Sequence, residues 1–342
     1  NTTFPASLRI GNFTLLVDMP VSPAGNWTVT SQGRLGHSIS RESAIFSDTG
    51  GYPLQGPLTL ALAGDLTVDV GGIITVEGAG YRCSDGPARA NGNRAAGHGG
   101  QGGVSDSTPG MTYGSVTNPT TAGSGGYWGS ENMAEGGGVM RLDIGGQTTV
   151  NGDIRAGGWV SDGEAGGSIY LRTGTLAGTG TVDAAGFPGA RGGGGGRIAV
   201  CVTNSMTAGS VRLKAYGASG TYPGAAGTIY VETVDQSPGR GSVIVDNNGV
   251  ASAAVTHVPP LTNSLPGEMT LVNLIVTNQG LVQLSTNTEV GDLYVYSTAT
   301  LDLNSRTVTV HSTQHPLGGG ATNNPGAIIW VPRIEGSVYW WE

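Results

Sequence analysis

Residues 187–202 read FPGARGGGGGRIAVCV. Five consecutive glycines pass straight into RIAVCV, where Ile198, Val200 and Val202 alternate with Ala199 and Cys201. Alternation of this kind marks a strand with one buried face. Glycine loses more backbone freedom on folding than any other residue, so a glycine run in mid-chain needs a geometric reason. The same arrangement recurs: GGVMRLDI (137–144), GGSIYLRT (166–173), GGRIAVCV (195–202) and AGTIYVET (226–233) superpose on their first apolar residues, Met140, Ile169, Ile198 and Ile229. The spacings are 29, 29 and 31 residues, and GPLTLALA (56–63) is an earlier copy beginning at Leu58.

A second strand of the form apolar–charged–small–any–Gly follows in each repeat: VEGAG (76–80), IRAGG (154–158), VDAAG (182–186), LKAYG (213–217) and a looser VDNNG (245–249). Stacked in register, these place Glu77, Arg155, Asp183, Lys214 and Asp246 in a column of alternating sign. Opposite charges on neighbouring strands attract, so the column has a structural purpose. Nearer the C-terminus the repeat shortens: NLIVTNQGLVQL (273–284) aligns with DLYVYSTATLDL (292–303) at a spacing of 19, and NWTVTSQGRLG (26–36) echoes the first of them. Helix periodicity is nearly absent.

Repeats of 19 to 31 residues with short strands and no helix predict an all-β chain, a single-stranded parallel β-helix with Gly-rich loops along one edge. One continuous domain spans 1–342: N-terminal coils to residue 80, a Gly-rich insertion at 81–136, long coils over 137–250, short coils over 251–325 and an apolar terminal strand or cap at 326–342. Glycines serve as corners with positive φ, and the longer runs as extended threads lying against one another. The pattern GGSIYLRTGTLAGTGTVDAAG followed by GGGGGRIAV (167–200) resembles the glycine-rich β-helix repeats of large secreted bacterial proteins of planctomycete and verrucomicrobial type. ATLDLNSRTVTV (299–310) resembles coils of adhesin-like and autotransporter-like β-helices. The resemblance implies a right-handed parallel β-helix outside the cell, and no catalytic residue follows from it.

Bulk composition narrows the function. Glycine is 62 of 342 residues, charged residues are 12% and the net charge is −8. So little positive charge argues against nucleic acid as a partner. No apolar run is long enough to span a membrane. The start at Asn1 without Met reads as a processed secretory product, extracellular or at the cell surface, and Asn1, Asn12 and Asn26 each head an Asn-X-Thr sequon. Cys83 and Cys201 permit one disulfide.

Candidate chemistry is sparse. No strand face concentrates Asp and Glu, which argues against a glycosidase or lyase centre, although residues on neighbouring coils can converge. SDGEAGG (161–167), with Asp162 and Glu164, offers oxygen ligands for calcium, against the commoner reading as turn chemistry. HSTQH (311–315) carries two histidines four apart on a strand end rather than a helix, a poor zinc motif. No cofactor is expected. The loop edge gathers aromatics at Tyr81, Tyr113, Tyr127, Trp128, Trp159, Phe187 and Tyr222, suited to stacking on a surface glycan or packing over the glycines. The C-terminal Trp330, Trp340 and Trp341 form a cap or one half of a subunit joint, with FTLLVDM (13–19) as the other half. The expectation is a non-catalytic structural protein whose partners are copies of itself, joined end to end as a filament, matrix or adhesin. The alternative is a β-helix that binds or cleaves a glycan through its aromatic edge.

Overall fold

The computed structural model describes residues 4–37, 56–105, 110–127, 134–159, 163–312 and 318–332. These residues form strands, turns and extended segments and no helix, so none crosses a membrane as a helix. The largest sheet has eleven strands. It takes β1 (Leu8–Ile10), β3 (Trp27–Val29), β6 (Leu66–Val68), β8 (Val139–Val150), β10 (Ser168–Ala177), β12 (Arg197–Val202) and β14 (Thr228–Glu232) in that order. It continues with β15 (Ser242–Asp246), β17 (Asn273–Thr277) and β20 (Leu293–Val295), while β5 (Leu58–Leu62) pairs beside β6 on the long strand β8. The repeat frame is kept residue for residue: Met140, Ile169, Ile198 and Ile229 are aligned neighbours, with Leu58 beside Met140. All five are nearly or wholly buried, because period-two alternation sends each of them to the same face.

A six-stranded parallel sheet carries the second strands: β2 (Thr14–Leu16), β4 (Arg34–Gly36), β7 (Ile73–Thr75), β9 (Asp153–Arg155), β11 (Thr181–Asp183) and β13 (Arg212–Lys214). Leu35, Ile74, Ile154 and Val182 turn inward and meet the first sheet in one hydrophobic core. Two smaller parallel sheets complete the C-terminal part. One holds β16 (Thr256–Val258), β18 (Leu281–Leu284), β21 (Thr300–Asp302) and β23 (Ala321–Asn323). The other holds β19 (Thr288–Val290), β22 (Thr307–Val310) and β24 (Ala327–Trp330). The 19-residue frame is kept here too, with Leu274 beside Leu293 and Val282 beside Leu301. The fold is all-β with mostly parallel sheets.

Two features depart from a plain stack. β14 and β15 pair antiparallel, with Ile229 opposite Ile244 and Tyr230 opposite Val243. Paired residues share a face. Ile229 belongs to the first core, whereas Tyr230, Val243 and Val245 belong to a second core that continues through Leu274, Val276, Leu293 and Val295. Strand direction and core face therefore invert together at this junction. Asp246 consequently lies on the large sheet and not in the charged column, since the six-stranded sheet ends at β13.

The glycine run is the second feature. Successive amides of Gly193, Gly194, Gly195 and Gly196 donate to the carbonyls of Phe187, Ala96, Ala225 and Ala184. The direction returns after three residues, to the segment 184–187, as in a three-fold extended thread rather than a two-sided strand. The run is thus a thread, not a corner; a corner with positive φ occurs instead at Gly178 (φ 103°). Comparable links join 134–138, 163–167, 192–196 and 223–227 to stretches of the insertion around 95–103 and 119–127. The insertion lies against the repeats as added threads and as a cover on the outer face of the large sheet, where Ala199 and Tyr230 are buried.

Candidate functional site

The insertion is anchored by buried polar side chains that sequence reasoning did not single out. Arg197 on β12 is fully buried; its Nε donates to the Tyr113 carbonyl (2.8 Å) and its Nη1 to Thr228 Oγ1 (2.7 Å). Burial holds its pKa down to about 10, partly offset by the charge of Glu268. Glu268 Oε2 accepts from Ser115 Oγ (2.6 Å) and from the amides of Val116 (2.8 Å) and Thr117 (3.4 Å). His98 is wholly buried with Nδ1 2.8 Å from the Gly166 carbonyl and Nε2 2.9 Å from Thr121 Oγ1. Burial, with the Arg197 charge adding to it, lowers its pKa to about 3. The ring is therefore neutral, donating from Nδ1 and accepting at Nε2. Each of these side chains makes at least one hydrogen bond to backbone or a hydroxyl, although Arg197 Nη2 and Glu268 Oε1 have no partner among the described residues, and together they hold the insertion down.

Of the loop-edge aromatics, Tyr113 is not at the surface. Tyr113 is fully buried: its hydroxyl donates to the Ala122 carbonyl (2.6 Å), and its ring lies 4.7 Å from that of His98. It is a core residue because the insertion folds back over the sheet. Tyr81 and Phe187 are half-buried. Tyr127, Trp159 and Tyr222 are exposed, at 42%, 36% and 41%. Trp128, Asp162, His315, Trp340 and Trp341 lie outside the described residues. Trp330 is half-buried on β24 and packs against the second core. Glu164 is fully buried among the glycine threads, and no group of three or more metal-ligating side chains occurs among the described residues. His311 lies 3.4 Å from Glu289. No disulfide joins Cys83 and Cys201. Burial pushes the Cys201 thiol pKa up, and the nearby Glu232 pushes it further.

The outer face of the six-stranded sheet brings the charged column together in part. Arg155, Asp183 and Lys214 are register neighbours, with Lys214 Nζ 3.9 Å from Asp183 Oδ2. Glu77 is two places out of the expected register, since Thr75 and not Glu77 pairs with Arg155. Its carboxylate still feels Arg155; burial raises its pKa, and Arg155 and a 3.1 Å hydrogen bond from Thr75 Oγ1 oppose the rise.

Beside Glu77 the face is indented. Gly36 stands between Leu16 and Thr75 in register and contributes no side chain. A cavity of about 120 Å³ results, with Thr14, Leu16, Arg34, His37, Glu77 and Trp159 in its walls. Gly78 admits the indole: a Cβ there would lie 2.8 Å from the Trp159 Cβ and 3.1 Å from its ring. His37 Nδ1 is 3.1 Å from Asp18 Oδ1, and its side chain is only 2% exposed. Among the described residues its Nε2 has no hydrogen-bond partner. Asp18 and His37 stand 19 residues apart, the spacing of Leu8 and Trp27 in successive repeats, and that is the signal by which sequence could have paired them. No protein-family model matches the chain, and no curated protein or solved structure matches it.

Proposed function

We propose that the chain is a single-stranded right-handed parallel β-helix acting outside the cell as a non-catalytic structural protein, a subunit of a surface filament, matrix or adhesin joined end to end with its copies. The monotonic order of the large sheet supports one winding path. Reversing strand direction alone would invert the hand of winding, and so would moving the core to the other face. Both occur at β14–β15, which supports one hand of winding on either side of the junction.

The observation that carries the functional reading is the pair of sheet ends, both of them open among the described residues. β1 and β2 are outermost in their sheets at one end, with Phe13, Leu16 and Met19 exposed at 47%, 49% and 74%. β23 and β24 are outermost at the other, with every residue of β23 and Ile329 of β24 exposed. Strand edges that are unpaired among the described residues, beside apolar side chains, invite a further strand. The test is electron microscopy of negatively stained protein over a concentration series, alongside Ile329→Lys and a chain lacking 326–342. Regular filaments of the parent chain, lost in both variants, are expected. A monodisperse monomer at every concentration rejects assembly by this chain alone. The second reading, a glycan-binding β-helix, is favoured at one place, the cavity beneath Trp159.

A further inference from the structure

We propose that the cavity bounded by β2, β4, Glu77 and Trp159 binds one neutral pyranose residue of a glycan. Such binding does not depend on end-to-end assembly. The cavity holds about 120 Å³, well below the roughly 300–1,000 Å³ of sites for larger organic ligands, so no more than one sugar ring enters it, with the rest of a glycan outside. Its walls divide as a sugar's surface divides. Trp159 supplies an indole for the apolar C–H face of a pyranose, and Leu16 adds an apolar edge. Glu77, Arg34, Thr14 and His37 supply acceptors and donors for the ring hydroxyls.

His37 is the most informative of these groups. Nδ1 lies 3.1 Å from Asp18 Oδ1, and the buried Nε2 has no partner among the described residues. A buried polar atom without a protein partner is met by a water or by a polar group of a ligand, and of the atoms of this kind among the described residues only His37 Nε2 belongs to a residue lining this cavity. A sugar hydroxyl meets the need, because it donates one hydrogen bond and accepts others. Glu77 already takes the Thr75 hydroxyl on Oε2, and a carboxylate has acceptor capacity beyond one bond. Arg34 acts on Glu77 through its charge and stands at the same cavity wall, so a donor and an acceptor sit side by side for vicinal hydroxyls.

Charge decides between ligand classes. A uronate or a phosphate would bring its anion against Glu77, and of the two cations acting on Glu77, Arg155 is already paired with Asp153 at 2.6 Å, which leaves Arg34 alone opposite Glu77. A purely apolar guest would leave His37 Nε2 and the remaining acceptor sites of Glu77 without hydrogen bonds, at a cost of several kcal/mol on general grounds. A neutral polyol with one flat apolar face meets neither objection.

The test is isothermal titration of the full chain with neutral xylo-, cello-, manno- and galacto-oligosaccharides, and with oligogalacturonate as the acidic comparison. Trp159→Ala removes the platform, and Glu77→Gln keeps size and shape while changing the acceptor. Tyr222→Ala removes an exposed aromatic elsewhere on the loop edge. Circular dichroism and a thermal melt establish that each variant is folded. At least one neutral oligosaccharide is expected to bind, with affinity reduced about tenfold or more in Trp159→Ala and in Glu77→Gln and unchanged in Tyr222→Ala. Three results would overturn the proposal: no neutral oligosaccharide binds, binding survives both substitutions, or oligogalacturonate binds more tightly than every neutral chain.

Discussion

At Gly195 a methyl group would lie 2.0 Å from the Ala215 carbonyl oxygen and 2.4 Å from the Gly227 amide nitrogen. Both are backbone atoms held in hydrogen-bonded threads, so neither can yield as a flexible side chain would. Gly195→Ala is therefore expected to destabilise the fold by about 3 kcal/mol or more, read as a lowered denaturation midpoint. A methyl group at Gly92 would meet nothing within 4 Å, and Gly92→Ala should change stability by no more than about 0.5 kcal/mol. Equal effects at the two sites would mean that backbone packing is not what the glycines serve. His98 makes a second residue-scale prediction. Its pKa is near 6.5 in an unfolded chain and about 3 in the fold. Between those values the unfolded state binds a proton that the folded state does not. The stability owed to this residue is thus complete above pH 6.5 and is lost as pH falls toward 3, by up to about 1.4 kcal/mol per pH unit. His98→Gln keeps a donor for Gly166 and an acceptor for Thr121 without the titration. Urea unfolding across that range should show a slope with pH shallower by one proton in the variant.

At the scale of elements, the strands that pack by side-chain alternation were legible and the segments that pack by backbone were not. The 29-residue frame of Met140, Ile169 and Ile198 and the 19-residue frame of Leu274 and Leu293 appear directly in the pairing register. Glu77 stands two residues from its expected place, and the reason is physical: a slip of two leaves every side chain on its own face, so alternation cannot detect it. The reversal at β15 escapes for a related reason, since SVIVD alternates identically in either chain direction. Residues 81–136 carry little side-chain periodicity, because threads joined through N–H and C=O groups need only small residues. Hence Tyr113 reads as a loop aromatic although it is a buried one. The cavity was half legible. Trp159 and Glu77 stand out separately, one as an aromatic and one as a charge, but the dent at Gly36 and the Asp18–His37 contact arise only when three successive repeats are laid side by side.

At the scale of the whole molecule, two hydrophobic cores lie on opposite faces of one eleven-stranded sheet, and the insertion touches the structure around both. Through His98 it meets the thread leading into β10, through Tyr113 it meets Arg197 on β12, and through Ser115 and Val116 it meets Glu268. A simple repeat stack couples only nearest neighbours, so its ends can melt before its middle. Here the shared sheet and the insertion link distant repeats, which favours a single unfolding unit. Leu142 in the first core and Leu293 in the second are both fully buried, and truncating either to alanine should cost about 2–5 kcal/mol. Differential scanning calorimetry of Leu142→Ala and Leu293→Ala should show one endotherm in each case, moved to lower temperature as a whole. Glu268→Ala, which removes the acceptor for three donors of the insertion, should then split that endotherm or make it less cooperative. Two separate peaks already present in the parent chain would mean that each core folds alone and that the shared sheet transmits little between them.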